Sequence, residues 1–131
     1  MHNVKEDTEL YIIAPDEQGA SVRVLGTLAN AGINLKALCT FKEKDSQVFM
    51  VLTSNNKKAI KSLEALGYIV KSRSVVTALI DDRIGAAAEI VALLGNAAID
   101  IRFCYGSSIG EVKTLLVLHT SNNKKAVETL K

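Results

Sequence analysis

The alternation of apolar and polar residues divides the first half of the chain into short strands and helices. An apolar run over 9–14 predicts a buried strand, and the Pro-Asp-Glu-Gln-Gly break at 15–19 precedes a helix that ends near Gly32. An alternating segment over 33–42, a polar hairpin at 43–46 and a returning strand over 47–52 follow. A second helix, capped by Ser54 or Asn55, ends at Gly67, and 68–70 begins a fourth strand. The apolar spacing predicts which residues of the two helices face the core. In the first helix these are Val22, Leu25, Leu28 and Ala29, and in the second they are Ala59, Ile60, Leu63 and Leu66.

The second half of the chain repeats this plan. The segment 53–59 recurs letter for letter as 120–126, 67 positions later, and Gly19 matches Gly85 at a spacing of 66. Strands are predicted at 75–80, 99–105 and 112–118, with a helix facing the core through Ala88, Val91 and Leu94 and a last helix at 122–130. No strand follows that helix. One sheet position is therefore expected to be either an exposed edge or filled by another chain.

A strand–helix–strand–strand–helix–strand unit forms an antiparallel sheet with both helices on one face. We therefore predict an α+β fold of two tandem ferredoxin-like βαββαβ units, at 8–72 and 73–131, the second lacking its last strand. The opposite strand phase is also apolar in places, as at Val48, Met50 and Leu52, and at Leu115 and Val117. Because apolar rows of this kind are normally covered, we expect the two copies to pack together and the pair to dimerise.

Composition excludes several classes of protein. The 131 residues are 48% hydrophobic with a formal net charge of +2, and they form no concentrated basic face for nucleic acid. We find no signal peptide, membrane-length apolar run or phosphate-binding glycine motif, so a cytoplasmic, soluble protein is expected. Cys39 and Cys104 lack metal-site spacing and are expected in the core, and two histidines give poor support for a metal site or a catalytic triad. We therefore expect no enzymatic activity, no catalytic residues, no metal and no cofactor.

Two short segments at matching places in each copy resemble the ACT domain family. They are 14–19 (APDEQG) and 31–35 (AGINL) in the first copy, and 81–85 (DDRIG) and 97–101 (AAIDI) in the second. The resemblance extends over almost the whole chain from about Thr8. Their order, spacing and duplication, rather than any single motif, carry it.

The resemblance implies a free-standing regulatory protein of two ACT domains. Members of the family typically bind amino acids, often at an interface between neighbouring copies, and are commonly fused to enzymes of amino-acid metabolism. It implies a free amino acid as ligand and a homodimer or higher oligomer, with no nucleic-acid or membrane partner. The alternative is a regulatory subunit that associates with a separate enzyme of amino-acid metabolism. Carried over by position, the ligand-binding residues are Asp16, Gln18, Gly19 and Asn34 in the first copy, and Asp82, Gly85 and Asp100 in the second.

The chemistry of these residues suits an amino acid. Backbone N–H groups at a helix start suit a carboxylate, glycine allows its close approach, and the oxygens of Asp16 and Asn34 can accept hydrogen bonds from an ammonium. The second copy has Asp100 where the first has Asn34, so the two sites are expected to be unequal. Two structural alternatives remain. Asp16 and Asp82 could cap the following helices, and the sole role of Asn34 and Asp100 could be to shape the turn into the second strand.

Overall fold

The computed structural model describes residues 3–15 and 17–131 of the chain. Within them it forms six strands and four helices, in which the order strand, helix, strand, strand, helix occurs two times in succession. These are β1 (Asn3–Pro15), α1 (Ala20–Asn30), β2 (Leu35–Glu43), β3 (Ser46–Thr53), α2 (Asn56–Glu64), β4 (Ile69–Asp81), α3 (Ala86–Asn96), β5 (Ile101–Gly110), β6 (Lys113–Thr120) and α4 (Asn123–Leu130). The α+β class and the two ferredoxin-like patterns are those predicted.

The first compact unit is Thr8–Arg73, with strand order β2-β3-β1-β4. β3 pairs antiparallel with both β1 and β2, so the end of β1 lies beside the start of β3. One phase of the strands packs on both helices in a single core. Because every second strand residue points to the same face, both helices lie on that face.

The second unit combines Ser74–Lys131 with the strand segment 3–7, in the order β1-β4-β6-β5. Its core includes Val4, which is buried with Ile80, Ile90 and Leu118. As predicted, no strand follows α4. The open sheet position, however, is neither an exposed edge nor filled by another chain, because the beginning of β1 occupies it. Each unit therefore has four strand segments.

The helix faces differ from those predicted. α1 buries Ala20, Val24 and Leu28, whereas Val22 is 76% exposed. Leu25 is only partly buried and Ala29 is exposed. The buried residues of α1 are spaced four apart and begin with the small side chain of Ala20, directly after Gly19. A periodicity counted from Val22 therefore selects the wrong face.

The same shift recurs in the second unit. α3 buries Ala86, Ile90 and Leu94, whereas Val91 is 49% exposed and Ala88 is also exposed. In α2, Ala59 and Leu63 are buried as predicted and Ile60 packs against the core. Leu66 is 51% exposed because α2 ends at Glu64, two residues before it.

The repeated Thr-Ser-Asn-Asn motif is explained by local hydrogen bonds. The Asn55 side chain accepts from Lys58 N at 3.1 Å and caps α2, as Asn122 caps α4 through Lys125 N at 3.1 Å. Asn56 Nδ2 donates to the carbonyl of Thr8 at 3.1 Å. Its counterpart Asn123 reaches the carbonyl of Ser74 at 2.8 Å. Both Asn side chains of each copy thus satisfy particular backbone groups, which gives a structural reason for the repeat.

The second strand phase is buried within the single chain, as the apolar rows led us to expect. Val48, Met50 and Leu52 are buried, as is Val117, while Leu115 is partly buried. The expected burial of the cysteines is wrong, since Cys39 is partly exposed and Cys104 is exposed. Cys39 is on β2 and Cys104 is on β5. Only one face of a strand packs against the helices, so an apolar residue on a strand is not necessarily buried. Among the described helices, none is long and apolar enough to cross a membrane.

Candidate functional site

A cavity of about 420 Å³ lies at the start of α1 in the first unit. It is lined by Glu17, Gln18, Gly19, Ala20, Ser21, Val22, Lys42 and Gln47. Residues 17–19 precede α1, residues 20–22 are its first three residues, and Lys42 and Gln47 face each other across the β2–β3 ladder. The size falls within the range of small-molecule pockets in proteins.

Gly19 makes the helix start accessible. It is the N-cap of α1 with φ of 86°, a left-handed conformation that favours glycine, and it provides no side-chain cap. A Cβ there would lie 3.3 Å from Arg23 Nη1. The first-turn N–H groups of a helix have no partner within the helix. Those of Ala20, Ser21 and Val22 belong to cavity-lining residues, although Ala20 N donates to Glu17 O at 3.2 Å.

Arg23 holds the loop before α1 from the helix side. Its guanidinium donates to Glu17 Oε1 at 2.5 Å, to Tyr68 OH at 3.2 Å and to the Gln18 carbonyl at 3.5 Å. The hydrogen bond with Tyr68, together with the charge of Glu17, raises the pKa of Arg23. Glu17 is therefore the acidic group at the cavity wall, oriented by an arginine that remains charged.

The cavity contains two polar residues that the sequence analysis did not select. Lys42 and Gln47 are paired across the hairpin, and Gln47 Nε2 donates to Thr40 Oγ1 at 2.8 Å. Their position follows from antiparallel pairing, because Ala14 at the end of β1 faces Gln47. The sequence predicts the hairpin, but no local motif marks Lys42 and Gln47 as site residues. Of the residues selected in this copy, Gln18 and Gly19 line the cavity, and Asp16 lies outside the described residues.

The corresponding loop of the second unit is closed onto its own hairpin. Asp82 N donates to the Val112 carbonyl at 2.9 Å, and its carboxylate accepts from Ser108 Oγ at 2.9 Å. Gly85, with φ of 87°, is the N-cap of α3, and α3 has no side-chain cap. The alternative that Asp82 caps the helix is therefore wrong. Asp82 joins the loop to the hairpin instead.

Asn34 and Asp100 lie at the other end of the first helix of their units. Asn34 N donates to Ser54 Oγ and Ser54 N donates to Asn34 O, both at 2.9 Å. Asp100 and Ser121 repeat the pair at the same distances. The backbone makes all four bonds at these positions, which supports a turn-shaping role. Since α1 has 11 residues and rises 1.5 Å per residue, it separates Asn34 from Gly19 by about 16 Å.

These features can be compared with known proteins. A family model described as an ACT domain pair matches residues 7–131. The chain belongs to the ACT domain family. The match takes in both units and the loops before α1 and α3. A search of functionally characterised proteins found no matching sequence.

Solved structures with this ACT-pair fold differ widely in sequence. A protein from Bacteroides thetaiotaomicron is 26% identical, with a TM-score of 0.90 over 97% of this chain and 88% of that chain. The ligand-free regulatory subunit of aspartate kinase from Thermus thermophilus is 16% identical, with a TM-score of 0.71 over 99% and 95%. The regulatory subunit of aspartate kinase from Thermus flavus is 17% identical, with a TM-score of 0.65 over 97% and 94%. At these identities, the two Thermus structures show a shared fold.

The side chains of the described residues were compared with the requirements of a metal site. Among the described residues, no group of three or more His, Cys, Asp or Glu side chains is placed to hold a metal ion. The chemistry available at the cavity is polar recognition, because its lining includes backbone donors and an ammonium group as well as carboxylate and amide oxygens.

Proposed function

We propose that this ACT pair is a regulatory sensor that binds a free amino acid in the cavity at the start of α1. The observation that carries the proposal is that Gly19 opens the first turn of α1 to this cavity, beside Lys42, Gln47 and Glu17. In this proposal the protein has no catalytic activity of its own and acts in the cytoplasm, where free amino acids and their enzymes occur.

The two ends of an amino acid match the two kinds of group in the cavity. The ligand carboxylate is placed at the N–H groups of Ser21 and Val22, where the helix dipole favours negative charge, with Lys42 nearby. The ammonium is placed toward the oxygens of Glu17, Gln18 and Gln47, which can accept its hydrogen bonds. Asp16 belongs to the same proposal through its place in the loop.

The second unit is proposed to be the weaker site or a silent one. Asp82 already accepts a hydrogen bond from Ser108, and a ligand ammonium must compete with that bond. Gly85 keeps the open helix start there. Because Asn34 and Asp100 are remote from the helix starts of their own units, we propose that they contact ligand only when a second chain supplies them.

A calorimetric titration of the full chain against each free amino acid tests this function. We expect one amino acid to bind, and its decarboxylated amine and its α-keto acid to bind at least about tenfold more weakly, since each lacks one charged end. Lys42→Met and Gln47→Leu are expected to weaken binding. Lys36→Met, an exposed lysine near the other end of β2, is the matched control. Absence of heat and of thermal stabilisation with every amino acid would exclude the proposal.

A second candidate is a regulatory subunit that acts on a separate enzyme of amino-acid metabolism. The two aspartate kinase regulatory subunits favour it, because this chain spans 95% and 94% of their lengths. Purification of the tagged chain in the presence and absence of the bound amino acid distinguishes the candidates. Stoichiometric recovery of one enzyme whose activity responds to that amino acid supports the subunit. Ligand binding without such an enzyme supports the free-standing sensor.

A further inference from the structure

Three exposed apolar side chains lie at one corner of the second unit. Ile84 is fully exposed in the loop before α3, and Ile109 and Val112 are 55% and 74% exposed at the β5–β6 hairpin. Asp82 N donates to the Val112 carbonyl and the Asp82 carboxylate accepts from Ser108 Oγ, and these two bonds hold the loop and the hairpin together. We call Ile84, Ile109 and Val112 the apolar corner. Soluble proteins rarely expose several large apolar side chains together without a partner.

The repeat provides an internal comparison for this surface. At a spacing of 66, Ile84 corresponds to Gln18 in the first unit. After the bulge between Ser108 and Gly110 the spacing is 67, so Val112 corresponds to Asp45, and Ile109 in the bulge has no counterpart in the first hairpin. The same corner of the same fold is thus polar in one copy and apolar in the other. The fold itself does not require apolar residues there.

The backbone at Val112 gives a second, independent reason. Glu111 and Val112 form the hairpin turn with φ of 55° and 60°. Turns with two positive φ values favour Asn-Gly, and a β-branched residue is a genuine outlier in this region. Val112 therefore strains the turn while its side chain remains 74% exposed. Strained residues of this kind cluster at functional sites, so the strain at Val112 points to a function for its side chain.

The charges beside the corner favour a second copy as the partner. Arg83 forms two bonds with Glu89, at 3.0 and 2.7 Å, and Lys113 Nζ donates to Asp81 at 2.8 Å. These charges are already paired within the chain, so two identical corners can meet without strong repulsion between them. Glu111 adds a negative charge in the turn that a two-fold contact must keep apart from its copy.

We propose that the apolar corner is a self-association surface that joins two chains about a two-fold axis. The corresponding corner of the first unit is polar, so a head-to-tail contact between unlike corners would leave apolar side chains against Gln18 and Asp45. Like-with-like contact buries them on both chains and closes at a dimer. This inference does not depend on the proposed amino-acid site.

Sedimentation equilibrium of the full chain over a wide concentration range tests the surface. The wild type is expected to reach twice the chain mass of 14.1 kDa at high concentration. Ile84→Gln, which introduces the residue of the first copy, and Val112→Gly are each expected to raise the dimer dissociation constant at least about tenfold. Leu66→Gln, at an apolar residue that is 51% exposed in the first unit, is the matched control and should leave association unchanged.

Val112→Gly also separates docking from a structural role. Because glycine suits the positive φ, this variant is expected to melt at a higher temperature than the wild type at concentrations where both are single chains. Higher stability together with weaker association is the result expected of a docking residue. A single-chain mass at all concentrations overturns the proposal, as does assembly beyond a dimer. Assembly that both variants leave unchanged, or that is lost when salt is raised, also overturns it.

Discussion

Arg73 Nε donates to the carboxylate of Glu9 at 3.0 Å, and the Glu9 side chain is completely buried in the first unit. The guanidinium carbon also lies 4.4 Å from the centre of the Tyr11 ring, and Nη2 is 2.9 Å from Met50 Sδ. The arginine, 28% exposed, thus covers a buried carboxylate, an aromatic face and a sulfur at once. A buried ion pair contributes little net stability when intact, yet removing one partner costs several kcal/mol.

Arg73→Met is therefore expected to destabilise the protein by about 3 kcal/mol, because it leaves the Glu9 carboxylate buried without its arginine. Glu9→Gln should cost less, about 1–2 kcal/mol, since an amide keeps the shape and a hydrogen bond without the charge. Urea denaturation gives both free energies of unfolding. Arg102→Met, at an exposed arginine on β5, is the control. Equal losses for Arg73→Met and Arg102→Met would contradict the role assigned to the pair.

The paired helix caps give a second prediction. Asn55→Ala and Asn122→Ala each remove the side-chain oxygen that accepts from a first-turn N–H group, at Lys58 and Lys125. Each substitution is expected to lower the free energy of unfolding by about 1 kcal/mol, whereas glycine at either position should cost only a few tenths. Asn30→Ala, at the last residue of α1, serves as the control. Alanine and glycine variants of equal stability would show that the caps contribute nothing.

The segment 3–7 is predicted to stabilise the second unit, although it precedes the first unit in the chain. Val4 is 7% exposed in the second core, so Val4→Ser should cost about 2 kcal/mol through lost burial. Hydrogen exchange by mass spectrometry is the measurement, with faster exchange expected in 74–131. The neighbouring Lys5 is exposed, and Lys5→Ser is the control. Unchanged exchange in 74–131 would mean that the strand position does not need this segment.

Strand alternation predicted most of the fold, while the helix faces were less accessible from the sequence. β2 alternates between partly buried and exposed residues, so the period of two identifies it, whereas β3 is buried over six consecutive residues and is identified by its continuous apolar run. By contrast, α3 is apolar on nearly all sides, and periodicity cannot distinguish the buried Ile90 from the exposed Val91. The segment 3–7 is polar apart from Val4, which left almost no signal that it forms a strand.

The candidate site divides in the same way. Gln18 and Gly19 were selected through the family resemblance and do line the cavity. Lys42 and Gln47 reach it only because the antiparallel pairing brings the hairpin beside the helix start, a tertiary relationship that no local motif records. The matching positions of Asn34 and Asp100 in the two copies favour ligand contact when only the sequence is considered. In the structure, their backbone bonds to Ser54 and Ser121 supply a structural reason for that match.

The thiol of Cys104 provides a prediction about pH. Although Cys104 is exposed as a residue, its thiol is partly desolvated by the surrounding protein, which disfavours the charged thiolate and raises the pKa of Cys104 above the ordinary value for cysteine. Because the thiolate is the nucleophile, the rate of alkylation by iodoacetamide should rise with pH around a midpoint displaced upward. The measurement is made in Cys39→Ser, so that one thiol remains.

The unfolded chain supplies the reference for this measurement. In concentrated urea the same Cys39→Ser protein loses the burial around Cys104, so its alkylation midpoint is expected to return to that of a free cysteine. The native midpoint should therefore lie above the unfolded one, and native alkylation should be slower at every pH below both. A native midpoint at or below the unfolded value would mean that water or a neighbouring positive charge stabilises the thiolate of Cys104 on β5.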